Sequence, residues 1–342
     1  MKRITIRDVA REAGVSVTLV SFVMNARRGP DGKLDCPVNH NTAQRVLEVA
    51  SRLGYRRNYA AASLRSGRSH TIAVIPNDIS NKFFAGISRC IEEEANKAGY
   101  TVFFASSEES AEKLASVVDA VLAHNVDGLI VAPCTNGESA LSHATDAKIP
   151  VVLLDRDIEN IDFVGKVLLD DVAAGHMATQ TMIDNGYKKV EMISYTLGIS
   201  SFSERENGYR KAMMDNDLYD GVKVHYTTYG TASDDVEKIV KDAVSRGVQG
   251  LFLPTYSLSA QVLAAMKKLG LRTPQDLAIV GFDESDIYSL YSTTVSHIVQ
   301  PLRELGEKSV SLLLDMIGGA APQKIVLKPS LELGGSTEKI NK

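Results

Sequence analysis

The chain has 342 residues, a length that allows two or three domains. Its composition, with 44% hydrophobic and 23% charged residues, is ordinary for a globular protein. It has no apolar run long enough to cross a membrane and no apolar core behind the positive charges of its N-terminus, so we expect neither a membrane span nor a secretory signal. Its three cysteines, Cys36, Cys90 and Cys134, are odd in number and far apart. They favour reduced thiols in a cytoplasmic protein over a disulfide framework or a metal site.

The net charge of −4 hides an asymmetry along the chain. Residues 1–68 hold 13 Lys and Arg against 5 Asp and Glu, which gives +8, and the remainder carries −12. A small basic head on an acidic body is expected when only the head meets a polyanion. The alternative is a basic face that is simply solvated.

Residues 4–25 predict two short helices around a tight turn. Thr5 can cap the first helix together with Asp8, Gly14 permits the turn, and Ser16 can cap the second helix. The apolar residues recur at helical spacing, as Ile6, Val9, Ala10 and Ala13 and then as Leu19, Val20 and Val23. In a helix-turn-helix the second helix enters the DNA major groove. An ordinary helical hairpin in a larger core is the alternative.

The rest of the head is less regular. The segment 26–37 is rich in turn-forming residues and is not expected to be helical. A third helix is predicted after Asn39 or Asn41, with a buried stripe of Ala43, Val46, Leu47 and Ala50. Residues 1–58 are therefore predicted as a helix-turn-helix domain. Residues 59–69 follow as a hinge helix or linker, because an alanine-rich helix of about two turns is marginal by itself.

From Thr71 onward, short apolar runs alternate with amphipathic helices. The predicted strands are 72–75, 102–105, 128–132, 151–154, 190–194, 224–226, 250–253 and 277–280. The predicted helices are 83–98, 111–124, 139–147, 173–185, 204–216, 236–246 and 258–269. Continuous apolar strands separated by helices predict a doubly wound α/β fold with parallel sheets, in two similar units. The default ligand site is the cleft between those units, at the carboxyl ends of the strands.

Several motifs resemble the lactose-repressor (LacI/GalR) family of bacterial transcription regulators. In the head they are Ile6-Arg-Asp-Val-Ala-Arg-Glu-Ala-Gly-Val-Ser, Val20-Ser21 with Asn25, Arg45-Val-Leu-Glu and Leu53-Gly-Tyr-Arg. In the body they are Asn77-Asp-Ile-Ser-Asn-Lys-Phe-Phe, Pro150-Val-Val-Leu-Leu-Asp-Arg, Leu269-Gly-Leu-Arg-Thr-Pro-Gln-Asp, Val280-Gly-Phe-Asp and Gln300-Pro-Leu-Arg-Glu-Leu-Gly. The ordered set covers nearly the whole chain.

The resemblance implies a homodimer, or a tetramer built from dimers, that binds a pseudo-palindromic operator in double-stranded DNA. It also implies an effector-binding and dimerisation domain over 70–342 that resembles periplasmic sugar-binding proteins. We place its N-subdomain at about 70–168 and 299–327 and its C-subdomain at about 169–298 and 328–342. The expected effector is a small carbohydrate, and no cofactor or metal is expected. The implied function is a repressor whose operator affinity the effector controls.

The resemblance assigns roles in DNA binding. Val17, Thr18 and Phe22 occupy base-facing positions, where the family often has polar residues and an Arg. Val17 and Phe22 can pack on thymine methyl groups, with Thr18 bonded to a base edge, although Phe22 could instead belong to the core of the head. The residues expected to cap helices or contact phosphates are Thr5, Ser16, Ser21, Asn25, Arg27, Arg28, Arg56 and Arg57. Leu64 matches the family's minor-groove wedge, and Ala61 can lie close to DNA.

The resemblance also places residues in the effector cleft. Arg205 and Asp283 match ligand-contacting positions, since Arg donates in a fork and Asp accepts from sugar hydroxyls. Asp78, Phe83 and Phe84 would form the opposing wall. Asp155 and Arg156 end a strand near the cleft and either contact the effector or pair with each other. Thr255-Tyr256 replaces an Asn-Asp pair common in the family, and Asp171 stands where Asn is common.

The sequence departs from the family pattern at two places, and three alternative functions remain open. The segment 26–37 is longer than the family's usual connection, and Arg57 replaces a proline. An enzyme is disfavoured because the chain lacks a Walker phosphate loop, a Rossmann glycine triplet and an HExxH motif. A sugar-binding protein without regulatory DNA binding is a second alternative. A corepressor-type regulator that senses a nucleobase or a phosphorylated metabolite is the third.

Overall fold

The structure is a computed structural model that describes residues 4–28, 34–55, 67–158, 161–230 and 234–339. The chain divides into two compact units, of which the first ends at Ser69 and the second begins at His70. Helices and strands are numbered below in chain order over the described residues. Within those residues, no helix has the length and apolar character needed to span a membrane.

The first unit contains the helices Ile6–Ala13 (α1), Val17–Asn25 (α2) and His40–Arg52 (α3). The predicted caps of α1 and α2 are present. The backbone N–H and the hydroxyl of Thr5 donate to the Asp8 carboxylate at 2.9 and 2.7 Å, and the Ser16 hydroxyl accepts from the Leu19 N–H at 3.2 Å. Gly14 ends α1 with φ +63°, in the left-handed region that glycine adopts without strain.

The third helix begins after Asn39, whose side chain accepts from the Asn41 N–H at 2.9 Å, so Asn39 and not Asn41 is the cap. The buried residues of this unit are Val9, Ala10, Ala13, Val20, Val23, Ala43, Val46, Val49 and Ala50. Leu47 was predicted to be buried but is only partly buried, packed against the core, whereas Val49 is buried. Between α2 and α3, Arg27–Arg28 (β1) pairs antiparallel with Leu34–Asp35 (β2).

The second unit holds two six-stranded sheets. The first, with its helices, is called the N-lobe. Its strands are Thr71–Ile75 (β3), Thr101–Phe104 (β4), Gly128–Val131 (β5), Val151–Leu154 (β6), Val164–Leu169 (β7) and Lys324–Leu327 (β13). Its helices are Lys82–Lys97 (α4), Ala111–Ala123 (α5), Glu138–Asp146 (α6) and Leu302–Ile317 (α12). The strand order is β13-β7-β6-β5-β3-β4, and the pairings are parallel.

The second sheet and its helices are called the C-lobe. Its strands are Val190–Tyr195 (β8), Val224–Thr227 (β9), Gly250–Phe252 (β10), Ala278–Phe282 (β11), Ser296–Val299 (β12) and Ser330–Glu332 (β14). Its helices are Asp171–Asp184 (α7), Ser200–Asp215 (α8), Asp234–Ser245 (α9), Tyr256–Leu269 (α10) and Asp286–Leu290 (α11). The strand order β14-β12-β11-β10-β8-β9 repeats that of the N-lobe, except that β14 runs antiparallel to β12.

Both sheets are covered on both faces. Ile72 and Val74 of β3 pack with α4 and α12, whereas the alternate residues Ala73 and Ile75 pack with α5 and α6. A strand buried on both sides must be apolar at every position, which is why the apolar runs of the sequence predict it. The predicted doubly wound α/β fold with two subdomains is confirmed. The exact subdomain limits stay a prediction.

Helices α7 and α8 cross in direct backbone contact, because glycines stand at the crossing. A Cβ atom on Gly175 would lie 2.0 Å from the carbonyl oxygen of Arg205, and one on Gly208 would lie 2.1 Å from that of Val172. The end of a flexible side chain can move away from an added Cβ atom by changing its rotamer, but backbone atoms cannot. The crossing therefore holds the start of the Arg205 side chain tightly against α7.

We predict that Gly208→Ala lowers the free energy of unfolding of the second unit by about 1–3 kcal/mol, because the added methyl forces the two helices apart. Gly86→Ala is the matched control, since Gly86 also lies inside a helix and its added Cβ would meet only the flexible end of Leu302, at 3.3 Å. The control should be neutral or stabilising by about 0.5–1 kcal/mol. Urea unfolding measures both variants. Equal effects would show that the crossing tolerates a side chain.

Candidate functional site

One face of α2 is exposed and partly apolar. Val17 is 41% exposed and Phe22 is 50% exposed, with Thr18 exposed between them and Ser21 half-buried. Val20 and Val23 lie on the opposite face, inside the core. Phe22 is therefore not a core residue of the head. Its ring is therefore available for contacts outside the head.

The remaining head residues fall into two groups. Thr5 and Ser16 serve as caps, as described above. The side chains of Asn25, Arg27 and Arg28 lie outside the described part of the structure. So do the residues Arg56, Arg57, Ala61 and Leu64 in full.

A cavity lies between the two lobes of the second unit. The lining residues come from both lobes, and they are Asn77, Asn81, Phe83, Phe84, Asp155, Arg156, Tyr195, Ser201, Phe202, Arg205, Tyr229, Thr255, Ser257, Asp283 and Gln300. The structure thus brings together five of the seven predicted effector residues: Phe83, Phe84, Arg156, Arg205 and Asp283. Asp78 and Tyr256 are not lining residues, but each bonds to one, Asp78 to Tyr229 and Tyr256 to Asp283.

Two aspartates occupy equivalent places in the two lobes. Asp155 follows β6 and Asp283 follows β11, the third strand in the order of each sheet. Their φ angles are +67° and +66°, in the left-handed region that a side chain rarely adopts. Such strain costs of order 1–3 kcal/mol and is concentrated at functional sites. Burial raises the pKa of both carboxyls, although Arg205 acts on each of them in the opposite direction.

Arg205 of α8 is buried and bonded on two sides. Its Nε donates to Oδ1 of Asp171 at 2.6 Å, and its Nη1 donates to the carbonyl of Pro254 at 2.7 Å. The guanidinium also lies 3.8 Å from the centre of the Phe282 ring, in a cation–π contact. Burial raises the pKa of Asp171 to about 7, against the pull of Arg205.

Arg156 pairs with a residue that the sequence analysis did not identify. Its Nη1 and Nη2 donate to the two carboxylate oxygens of Glu109 at 2.9 Å each, and Nη1 also donates to the carbonyl of Pro133 at 3.2 Å. The expected pairing with Asp155 is much weaker, with Nε 3.7 Å from Oδ2. Glu109 was missed because it follows β4 in a loop, and no apolar period or motif marks it.

The other predicted residues lie around Asp283 and at the cleft rim. Asp283 accepts from Gln300 Nε2 at 2.8 Å and from the backbone N–H of Tyr256 at 3.4 Å, so Tyr256 contributes its backbone. Asp78 of the N-lobe accepts from the Tyr229 hydroxyl of the C-lobe at 3.2 Å. Burial and the charge of Asp78 raise the pKa of Tyr229 to about 12, so its proton stays in this bond.

Five lining side chains carry a buried polar atom without a hydrogen bond in the described structure. The atoms are Asn77 Oδ1, Asp155 Oδ1, Arg156 Nε, the Tyr195 hydroxyl oxygen and Gln300 Oε1. Buried polar groups are normally paired, so this concentration of donors and acceptors fits a polar ligand. Among the described residues, no group of His, Cys, Asp and Glu is arranged to hold a metal ion.

Two family models match the chain. Residues 5–58 match the bacterial regulatory proteins of the lacI family, and residues 72–321 match a periplasmic binding protein domain. The catabolite control protein A of Priestia megaterium is 31% identical over 316 residues, which cover 91% of each protein.

Two solved structures share the fold. The lac repressor dimer bound to operator and the anti-inducer ONPF aligns with a TM-score of 0.82 at 21% identity, over 98% of this chain and 100% of that one. A periplasmic binding protein/LacI transcriptional regulator from Alkaliphilus metalliredigens, complexed with D-xylulofuranose, aligns with a TM-score of 0.71 at 25% identity, over 78% of this chain and 98% of that one.

A helix-turn-helix unit followed by a two-lobed ligand-binding unit defines a class of proteins, the ligand-responsive regulators of transcription. This chain belongs to the lacI family of bacterial regulatory proteins and is a DNA-binding transcriptional regulator. Regulators of this family bind DNA operators and small-molecule effectors and are usually dimers.

The buried carboxyls predict how stability depends on pH. Because the pKa of Asp171 is raised from 3.8 to about 7, the folded protein keeps a proton that the unfolded chain has lost above pH 4. The contribution of Asp171 to the free energy of unfolding is therefore full below pH 4 and is lost as the pH rises to about 7. Asp155 and Asp283 act in the same direction, because their pKa values are also raised. We expect urea unfolding to report a less stable second unit at pH 7 than at pH 5.

The variant Asp171→Asn should make this dependence shallower by up to about 1 kcal/mol per pH unit, since one titrating group is removed. Asp146→Asn, an exposed aspartate at the end of α6, is the control and should behave as the wild type. An unchanged slope in Asp171→Asn would mean that Asp171 is ionised across the whole range.

Proposed function

We propose that this regulator is a repressor whose effector is a sugar or sugar derivative bound in the cavity between the lobes. The observation that carries the proposal is the pair of strained aspartates, Asp155 and Asp283, facing the cavity from the two lobes. Carboxylates accept hydrogen bonds from the vicinal hydroxyls of a sugar.

The aromatic lining supports the same ligand class. Phe83, Phe84, Phe202, Tyr195 and Tyr229 contribute rings to the cavity wall. Such rings can cover the apolar faces of a sugar while the polar groups of Asn77, Arg205 and Gln300 bond its hydroxyls. The complex of the Alkaliphilus regulator with D-xylulofuranose is a precedent for this fold. A nucleobase, the other uncharged candidate, would stack on the rings but offers fewer hydroxyl donors to the aspartates.

We further propose a homodimer that presents two heads to a pseudo-palindromic operator, in the cytoplasm where the DNA lies. Val17, Thr18 and Phe22 read the bases, and Ser21, Asn25, Arg27, Arg28 and Arg57 contact phosphates. The wedge role of Leu64 and the close approach of Ala61 rest on the resemblance alone. A tetramer needs a further interface and is not part of this proposal.

Effector control follows from two arrangements of the lobes. Closure of the lobes around the ligand changes how the segments before His70 approach each other in a dimer. The populations of DNA-binding and non-binding forms then shift by the difference in ligand affinity between them.

We predict that Asp283→Asn abolishes the thermal stabilisation given by an effector sugar, because the neutral amide cannot accept two bonds and also receive a sugar hydroxyl. A panel of pentoses, hexoses, disaccharides and nucleobases identifies that ligand, since a bound ligand raises the unfolding temperature by mass action. Asp146→Asn is the control and should respond as the wild type. A wild type stabilised only by nucleobases would refute the carbohydrate assignment.

We predict that Phe22→Ala weakens binding to an operator selected from random duplexes about five- to thirtyfold, a loss of ~1–2 kcal/mol of base contact. Binding to random DNA should be unchanged, because phosphate contacts are kept. Phe163→Ala, which removes a ring that is 79% exposed in the second unit, is the matched control. Equal losses on operator and random DNA would exclude base reading by Phe22.

A further inference from the structure

Arg156 is placed where it could bind an anionic group of a ligand. Its side chain is 6% exposed and lines the cavity, and its Nε has no hydrogen bond in the described structure. A guanidinium with free η nitrogens binds a phosphate or carboxylate through two parallel bonds. Whether the site accepts anions therefore depends on what already holds those two nitrogens.

Glu109 holds both of them. Its two oxygens each accept from one η nitrogen of Arg156 at 2.9 Å, in the geometry that an anionic ligand would otherwise use. Asn77 donates its side-chain amide to the same carboxylate and fixes its orientation. The Glu109 side chain is only 11% exposed, so water does little to weaken the pair.

The backbone that carries Glu109 is strained. Glu108 and Glu109 have φ values of +50° and +58°, two successive residues in a region that side chains rarely adopt. Glu108 points to the surface, where it pairs with Lys113. Strain that persists in a loop is typical of a functional constraint, and its result here is the delivery of the Glu109 carboxylate to Arg156.

The second buried guanidinium is matched as well. Arg205 donates to Asp171 at 2.6 Å, so each arginine has its own carboxylate. Asp155 and Asp283 remain as further acidic groups at the cavity. The charged side chains that line the cavity are two aspartates and two arginines, and the two η nitrogens of Arg156 become available to an anion only when Glu109 is displaced.

We propose that Glu109 is a specificity-determining positioning residue, which acts through Arg156 and makes the cleft reject phosphorylated ligands. The effector is therefore an unphosphorylated molecule. The inference rests on the proposed function in one respect, that the natural ligand binds in this cavity. The inference therefore excludes the phosphorylated metabolite, one of the effector classes that the sequence left open.

The test uses inorganic phosphate, which probes Arg156 whatever the natural effector is. The unfolding temperature of the full-length protein is measured against phosphate concentration, with sodium chloride at equal ionic strength as the reference. We expect the wild type to show no stabilisation beyond the chloride reference. Glu109→Gln should bind phosphate at least about tenfold more tightly, because its amide leaves Arg156 with an unmatched charge.

Two further variants decide whether the gain comes from Arg156. Glu108→Gln removes the same charge from the neighbouring strained residue on the surface and should match the wild type. Glu109→Gln with Arg156→Gln removes both charges and should lose the gain, and it covers the case in which Glu109→Gln alone folds poorly. Phosphate binding by the wild type, or no gain in Glu109→Gln relative to the double variant, would overturn the proposal.

A competition arm separates this inference from the sugar assignment. D-ribose and D-ribose 5-phosphate are compared on the wild type and on Glu109→Gln. A selective gain for the phosphorylated sugar in Glu109→Gln supports the role of Glu109. A wild type that binds no sugar in the panel but behaves as expected toward phosphate would defeat the carbohydrate proposal and leave the role of Glu109 intact.

Discussion

Two arginines and four carboxylates share the space where the lobes of the second unit face each other, and each buried charge needs a partner. An unpaired guanidinium there would cost several kcal/mol. Arg156 is matched by Glu109 within the N-lobe, and Arg205 is matched by Asp171 within the C-lobe. Because each ion pair lies within a single lobe, the two lobes can separate without breaking either pair. Asp155 and Asp283 remain as acceptors at the cavity, and such acceptors favour a polar ligand over an apolar one.

Among the described residues, the polar contacts that join the lobes include the Ser200 hydroxyl of the C-lobe, which accepts from the backbone N–H of Asp157 of the N-lobe at 2.8 Å. Asp78 accepts from Tyr229 at 3.2 Å, and Lys82 pairs with Asp286 at 2.8 Å on the surface. An exposed ion pair of this kind contributes about 0–1 kcal/mol. A ligand that bonds both lobes therefore needs only a modest affinity difference to favour closure. The energy that holds each lobe together, in contrast, comes from sheets buried on both faces.

The fold could be predicted from the sequence further than the site. Strands such as Val151–Leu154 are apolar at every position because both of their faces are covered, and caps such as Thr5 with Asp8 are local. The short strand Lys324–Leu327 is half exposed, and it was not predicted because its sequence is not a continuous apolar run. Asp283 could be placed because the motif Val280-Gly-Phe-Asp resembles that of the family. Glu109 could not, since its contact with Arg156 joins residues 47 apart through a strained loop.

The central claim is that occupancy of the cleft and occupancy of DNA are coupled in one equilibrium. The most direct test is to measure the affinity for the effector sugar twice by calorimetry, on the free protein and on the protein saturated with its selected operator. Thermodynamic linkage requires the two affinities to differ by the same factor by which the sugar changes operator affinity, and a factor of roughly 5–150 is typical. We predict such a matching factor. Equal sugar affinities in the free and the operator-bound protein would contradict the account.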